Sequence, residues 1–292
     1  MKIERSVYLG ISAAVLAGLI LFTYFSYRGD IVAAEARAAS GGRVVDTPCG
    51  PIEYALAGKG AHGRRQGVGP HLARPPAAQA EAHACLLDAL KLPTAAILGG
   101  SAGAPSTIEF CLRHAGRCSA MVLLVPAFFP PGAPQARPPA RPSFMFEAVL
   151  GSDFFFWLNM KLARDTLLER LFATPARDFH NASPEEQERV LRIMRSALPL
   201  SRRREGLWND MVVVASSPRY ELERIATPAL VIGIENDLFG IYQGGRSAAE
   251  RIPGARLVSF PTGGHLWVGR QGEVASETTK FLDQAGATVR TR

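Results

Sequence analysis

The chain has 292 residues, 47% of them apolar and 20% charged. That is the balance of a globular protein with a sizeable core, and it excludes a disordered chain, a collagen-like fibre or a small disulfide scaffold. The net charge of +7 arises from 33 basic and 26 acidic residues, and 28 of the basic ones are arginines spread along the whole length. No basic stripe interleaved with aromatics accompanies them, so the charge reads as solvated surface and no nucleic-acid partner is expected. Cys49, Cys85, Cys111 and Cys118 lack zinc-site spacing, and the six histidines show no metal-ligand pattern. With no dinucleotide fingerprint either, neither a metal nor an organic cofactor is expected.

Residues 1–6 form a short flank bearing Lys2 and Arg5, and residues 7–27 then run for 21 positions without a charge. At 1.5 Å per residue this is about 30 Å, the thickness of a hydrocarbon core. Tyr8 stands at one end and Tyr24 and Tyr27 at the other, where amphipathic rings prefer the interface. A cleaved secretory signal would have an apolar core of about 7–15 residues and a small-residue exit site. Ala-x-Ala patterns occur at Ala34–Ala36 and Ala36–Ala38, but the length of the run favours an uncleaved single-pass anchor followed by a linker over 28–42. Lys2 and Arg5 are nearly balanced by Arg28 and Arg37, so orientation is weakly set. The expected placement is a bacterial inner membrane with the body of the chain outside. There the cysteines could pair, in a pattern the spacing does not choose.

From residue 43 the chain changes character. Residues 42–46 and 48–57 read as two short strands around a Cys-Gly-Pro turn. Residues 58–76, rich in Gly, Arg and Pro, read as loop. A helix over 77–90, a buried strand over 94–98, a helix over 105–114 and a strand over 120–125 follow in alternation. This is the pattern of an α/β fold with a mainly parallel, twisted sheet. Seven prolines between 126 and 142 mark a boundary, and residues 143–222 look purely helical. Among them Ser183, Pro184 and Glu186 form a capping box ahead of an apolar face of Val190, Leu191, Met194, Ala197 and Leu198. Alternation resumes with a strand over 229–234, a helix over 245–251, a strand over 255–260 and a last helix near 273–284. The expected division is therefore 43–126 and 223–292 as two parts of one α/β domain, with 127–222 inserted as a Pro-rich connection and helical cap.

Gly99-Gly100-Ser101-Ala102-Gly103 matches G-x-S-x-G between a predicted strand and a predicted helix. A serine on such a turn is forced into a strained conformation, which small neighbours at Gly99 and Gly103 permit, and its hydroxyl projects beside a helix N-terminus. Asp237 follows the strand of 229–234, and His265 follows that of 255–260. A turn aspartate or a loop histidine would each be unremarkable alone. The order Ser, Asp, His at three strand ends is the one expected of a hydrolase built on an α/β sheet.

On these motifs, and on TPCGPIEYALAG, TPALVIGIEND and AERIPGARLVSFPTGGHLWVG, the chain resembles the α/β-hydrolase fold family, in its cap-bearing esterase and lipase-like group. The resemblance covers most of residues 43–285. It implies Ser101 as nucleophile, His265 as general base, Asp237 as the residue that orients the imidazole, and the Ala102 N–H as an oxyanion donor. The implied activity is cleavage of an ester or related acyl bond of a small-molecule substrate, rising with pH as His265 ionises. Hydrolysis of a C–C bond, acyl transfer, or a purely binding role on the same scaffold are the alternatives.

The resemblance breaks between the first hairpin and the helix of 77–90. The family places a strand, an oxyanion loop, a helix and a further strand there, and a parallel crossover alone needs a dozen residues or more. Residues 58–76 have no room for them, so the sheet is expected to lack one or two strands, with His62-Gly63 as a remnant of the loop. An internal deletion or a shifted reading frame would leave such a gap. In the cap, Phe144, Phe146, Phe154, Phe155, Phe156 and Trp157 either line an apolar substrate pocket or pack the cap on the main domain.

Overall fold

In the computed structural model the described residues are 2–39, 42–57, 64–67, 75–129, 150–215 and 219–290. Helix α1 (Lys2–Ala39) runs unbroken through the apolar stretch and on through residues 28–39 of the segment read as a linker. Ile31 and Ala34, three apart and so on one face, are buried among cap residues at its far end.

Strands β1 (Arg43–Thr47) and β2 (Gly50–Ala57) form the expected hairpin, and β3 (Arg64–Gly67) adds to β2 in antiparallel register from Ala57↔Arg64 to Tyr54↔Gly67. The expectation of loop throughout 58–76 is therefore corrected at four residues. A strand at the edge of a sheet is held by backbone hydrogen bonds and needs no apolar side chains, so composition hides it. A disulfide from Cys49 to Cys85 ties this small sheet to α2 (Pro76–Ala89).

The second sheet is parallel, in the order β4 (Ala95–Gly100), β5 (Cys118–Leu124), β6 (Ala229–Ile234), β7 (Arg256–Phe260). Every residue of β6 is buried, as an inner strand covered on both faces requires. Alternation sorts the side chains. Met121, Leu123, Ala229 and Val231 pack with α2, α3 (Ala104–Arg113) and α9 (Tyr242–Arg251). Ala120, Val122, Leu230 and Ile232 pack with Val274, Phe281 and Ala285 of α10 (Gln271–Arg290). A second disulfide, Cys111–Cys118, links the last turn of α3 to the start of β5.

Among the described residues β4 pairs only with β5, and Leu98 on it is 51% exposed. Among the described residues the hairpin sheet and the parallel sheet share no pairing, and β4 stands as an outer strand.

Helices α4 (Asp153–Leu162), α5 (Arg164–Arg170), α6 (Ala176–His180), α7 (Pro184–Ser196) and α8 (Arg204–Ala215) form the insertion between β5 and β6. Val190, Met194 and Leu198 are buried there, with Leu191 and Ala197 packed against them. The Ser183 hydroxyl accepts from the Glu186 N–H at 3.3 Å, but the reciprocal half of the capping box does not form. The Glu186 carboxylate instead accepts from Arg189 at 2.7 and 2.8 Å and from the Gly269 N–H at 2.9 Å, because a charged donor and an unpaired amide outbid the Ser183 N–H.

Of the cap aromatics, Phe156 and Trp157 are buried in one cluster with Leu266 and Val268 of the main domain, as packing of the cap requires, and also with the end of α1, where Tyr27 meets Phe154 and Trp157 edge-on at 5.3 and 5.7 Å. Trp157 Nε1 donates to Asp30 Oδ2 at 2.7 Å. Phe155 is 48% exposed, and Phe144 and Phe146 lie outside the described residues, as does most of the Pro-rich connection.

Candidate active site

The carboxyl ends of β4, β6 and β7 carry the three expected residues. Ser101 opens a single 3₁₀ turn (Ser101–Gly103) between β4 and α3, with φ +49°. Its carbonyl accepts from Ala104 and, at 3.1 Å, from the Ala127 N–H past the end of β5, which fixes the turn against the sheet. A side chain at Gly99 would collide with Thr107 Oγ1 and with the Gly103 carbonyl at 2.7 Å, so only glycine fits. Gly103, with φ −76°, has open space where a Cβ would stand; the expected demand for a small residue is real at Gly99 and not at Gly103. Ala102 lies in the first turn, where backbone N–H groups have no intrahelical acceptor.

Asp237 and His265 come together. His265 Nδ1 and Asp237 Oδ2 are 2.6 Å apart, with side chains 12% and 1% exposed. The second carboxylate oxygen accepts from the Phe239 N–H at 2.9 Å, so both oxygens are satisfied despite burial. With Nδ1 engaged, Nε2 is the ring nitrogen left for chemistry. The Phe239 ring stands edge-on to the imidazole at 4.9 Å, and Leu238 and Phe239 are half exposed beside it. Among the described residues no hydrogen bond joins Ser101 to His265. Ser101 sits two strands away from β6, at the edge of the sheet.

The histidine loop is held from the cap, by residues the sequence did not single out. Asp178 Oδ2, on α6, accepts from Asn236 Nδ2 at 2.7 Å and from the Gly263 N–H at 2.9 Å; Asn236 Oδ1 accepts from the Gly264 N–H at 2.9 Å. The Ala173 carbonyl takes the N–H groups of Leu238 and His265, and Thr174 Oγ1 takes that of Leu266. Gly264 has φ +59°, and a Cβ there would lie 2.6 Å from Thr174 Cα. Arg189 adds a 2.7 Å bond to the Leu266 carbonyl. Burial pulls the Glu186 carboxyl upward, yet its hydrogen bonds from Arg189 and Gly269 outweigh this and hold it below the usual range.

Ser101, Val125, Ala173 and Trp267 are all non-glycine residues with φ between +40° and +49°, a conformation costing on the order of 1–3 kcal/mol each. Ser101 and Val125 end β4 and β5, while Ala173 and Trp267 lie in the segments that clasp His265. Helix α8 packs against the Ser101–Gly103 turn, and on it burial pushes the Asp210 carboxyl up to about 6. Among the described residues no group of histidine, cysteine and carboxylate side chains could hold a metal. His62-Gly63 lies outside the described residues.

The sequence pattern of the alpha/beta hydrolase fold matches residues 73–268, about two thirds of the chain. Several solved structures share the fold. An alpha/beta hydrolase fold protein from Nakamurella multipartita is 25% identical, with a TM-score of 0.61 over 84% of this chain and 100% of that one. A thermophilic esterase from Thermogutta terrifontis is 18% identical, with a TM-score of 0.60 over 84% and 99%. The enol-lactonase from Burkholderia xenovorans LB400 is 19% identical, with a TM-score of 0.54 over 82% and 100%. Among curated protein sequences no match is found.

Proposed function

The chain belongs to the α/β-hydrolase fold family, and from that premise we propose that it is a serine hydrolase cleaving a carboxylic ester or related acyl bond. The observation that carries this reading is the buried Asp237–His265 pair at 2.6 Å, at the same carboxyl end of the sheet as a serine held at φ +49°. His265 Nε2 takes the proton of Ser101 Oγ as that oxygen attacks the acyl carbonyl. The Ala102 N–H stabilises the oxyanion, and the imidazolium, held by Asp237, returns the proton to the leaving alcohol. Water then repeats the cycle on the acyl-serine, with His265 again as base. The esterase and the lactonase among the fold relatives both act on carboxylic esters, which is why this bond class comes first. Leu238 and Phe239, apolar and half exposed beside His265, fit an apolar acyl group.

The exposed edge of β4 favours a second reading, a hydrolase-like protein that binds without turnover, since a missing oxyanion donor costs about 10²–10³ in rate. Fluorophosphonate labelling of the full-length, detergent-solubilised protein separates the two. Labelling that disappears in Ser101→Ala is the expected result; a folded wild type that stays unlabelled overturns the hydrolase.

We further propose that α1 is an uncleaved membrane anchor. Cleavage after Ala36 or Ala38 would remove Ile31 and Ala34 from the cap core and the Asp30 partner of Trp157. The two disulfides support an oxidising compartment for the body, in keeping with the outer side of an inner membrane. Carbonate-resistant membrane association together with an intact amino terminus is expected; a soluble, shortened protein would refute the anchor.

A further inference from the structure

A cavity of about 290 Å³ lies between the last turns of α1 and the cap, far in sequence from Ser101. Its wall carries four cations, Arg37, Lys161, Arg164 and Arg195, against one carboxylate, Asp30. Part of this charge is already spoken for: Lys161 pairs with Asp30 at 3.1 Å and Arg195 with Glu188 at 3.0 Å. Arg164 stacks its guanidinium on Phe179 at 4.9 Å and pairs with Asp165 at 3.6 Å, with its side chain still partly exposed. Met160, Leu191, Met194 and Leu198 supply apolar wall beside the cations. Cations and apolar side chains lining one cavity match an anion attached to a hydrocarbon chain better than a hydrophilic anion.

The position along α1 narrows the choice. Asp30 and Arg37 follow Tyr27 by three and ten residues of continuous helix, about 4.5 and 15 Å beyond the apolar span. The headgroup layer occupies about 5–8 Å on each side of a bilayer, so the Asp30–Lys161 end of the cavity is at headgroup depth and the Arg37 end stands outside it. The adjoining helix α4 carries Phe155 and Leu162, seven residues apart on one face and 48% and 78% exposed, the kind of apolar side chains that enter an interface.

We propose that this cavity binds the phosphodiester headgroup of an anionic phospholipid, with Lys161, Arg164 and Arg195 on the phosphate and the glycerol–acyl junction against Met160, Met194 and Leu198. The inference rests on the anchor reading of α1. The intact mass of the purified full-length protein therefore comes first. A chain lacking its first 36 or 38 residues sinks the anchor, and with it the cavity, whose α1 wall would be gone. On the intact protein in a neutral detergent, three probes are titrated and read by thermal midpoint: dihexanoyl phosphatidylglycerol, dihexanoyl phosphatidylcholine and inorganic phosphate. The expected result is saturable binding of phosphatidylglycerol, at least about fivefold tighter than phosphatidylcholine. Lys161→Gln and Arg195→Gln, both at half-exposed side chains, are each expected to weaken it about fivefold. Equal binding of the two lipids, or indifference to both substitutions, overturns the proposal while leaving the anchor intact. Inorganic phosphate reproducing the phosphatidylglycerol effect overturns the lipid in favour of a free phosphate.

Discussion

Asn236 Nδ2 donates to Asp178 Oδ2 at 2.7 Å, and that same oxygen takes the Gly263 N–H at 2.9 Å. One carboxylate on the cap thus holds the turn after β6 and the loop that carries His265. Asp178→Ala is expected to leave the protein folded and to lower kcat about 10–100-fold with little change in KM, because the imidazole loses its fixed placement. Asp178→Asn, which keeps an accepting oxygen, should restore part of the rate. Steady-state kinetics with a chromogenic short-chain ester checks this. A lowered thermal midpoint with unchanged kcat in both variants would reduce Asp178 to a structural residue.

Asp237→Asn keeps the size of the side chain and removes its charge from His265 Nδ1, 2.6 Å away. The amide can donate to the ring and so favours the wrong tautomer. A fall in kcat on the order of 10⁴ is expected, with fluorophosphonate labelling slowed in parallel. An ester hydrolysis rate within tenfold of wild type would remove Asp237 from the proposed mechanism.

Asp210 sets a pH dependence of stability. Burial raises its carboxyl from 3.8 to about 6, so between those values the unfolded chain has released the proton and the folded protein still binds it. The stabilisation present below pH 4 is therefore lost as pH rises through 6. Asp210→Asn is expected to flatten thermal stability between pH 4 and 6 and to raise it at pH 7.5 by about 1–2 kcal/mol, allowing for partial exposure. Thermal melts of both proteins across that range decide; parallel curves would contradict the assignment.

The Cys49–Cys85 bond closes a loop of 36 residues and fastens the three-stranded sheet to α2. Its removal in a Cys49→Ser, Cys85→Ser pair is expected to cost about 3–4 kcal/mol. Limited proteolysis should then cut first between β2 and α2. Unchanged stability and unchanged cleavage would mean the small sheet docks without the bond.

The alternating part of the fold is legible because its signals are local. Residues 229–234 are a continuous apolar run between turn residues, and the structure puts the strand at Ala229–Ile234. The Ser101 turn is legible for the same reason, as it sits between a run and a helix start. The partners of His265 are not, since Asp178, Ala173 and Thr174 reach it from the cap over roughly ninety residues of chain and leave no periodic trace. Asn236, next to Asp237, was open to recognition as a turn residue with a side-chain amide to offer. The far end of α1 hides for another reason. Arg28, Gly29 and Asp30 interrupt the apolar run, although Ile31 and Ala34 keep helical spacing and are buried. The outer position of β4 among the described residues agrees with the shortness of 58–76, which the spacing of the motifs reveals.

Helix α1 enters the cap core, and the cap in turn clasps Leu266 and Val268 of the histidine loop. If α1 is fixed in a bilayer, the lid is the stationary part of the molecule. Ser101, Asp237 and His265 nevertheless stand on one continuous sheet, and the cap touches both ends of it, through Asp178 at the histidine loop and through α8 at the Ser101 turn. A disturbance of the cap's seat on α1 would therefore reach serine and histidine together.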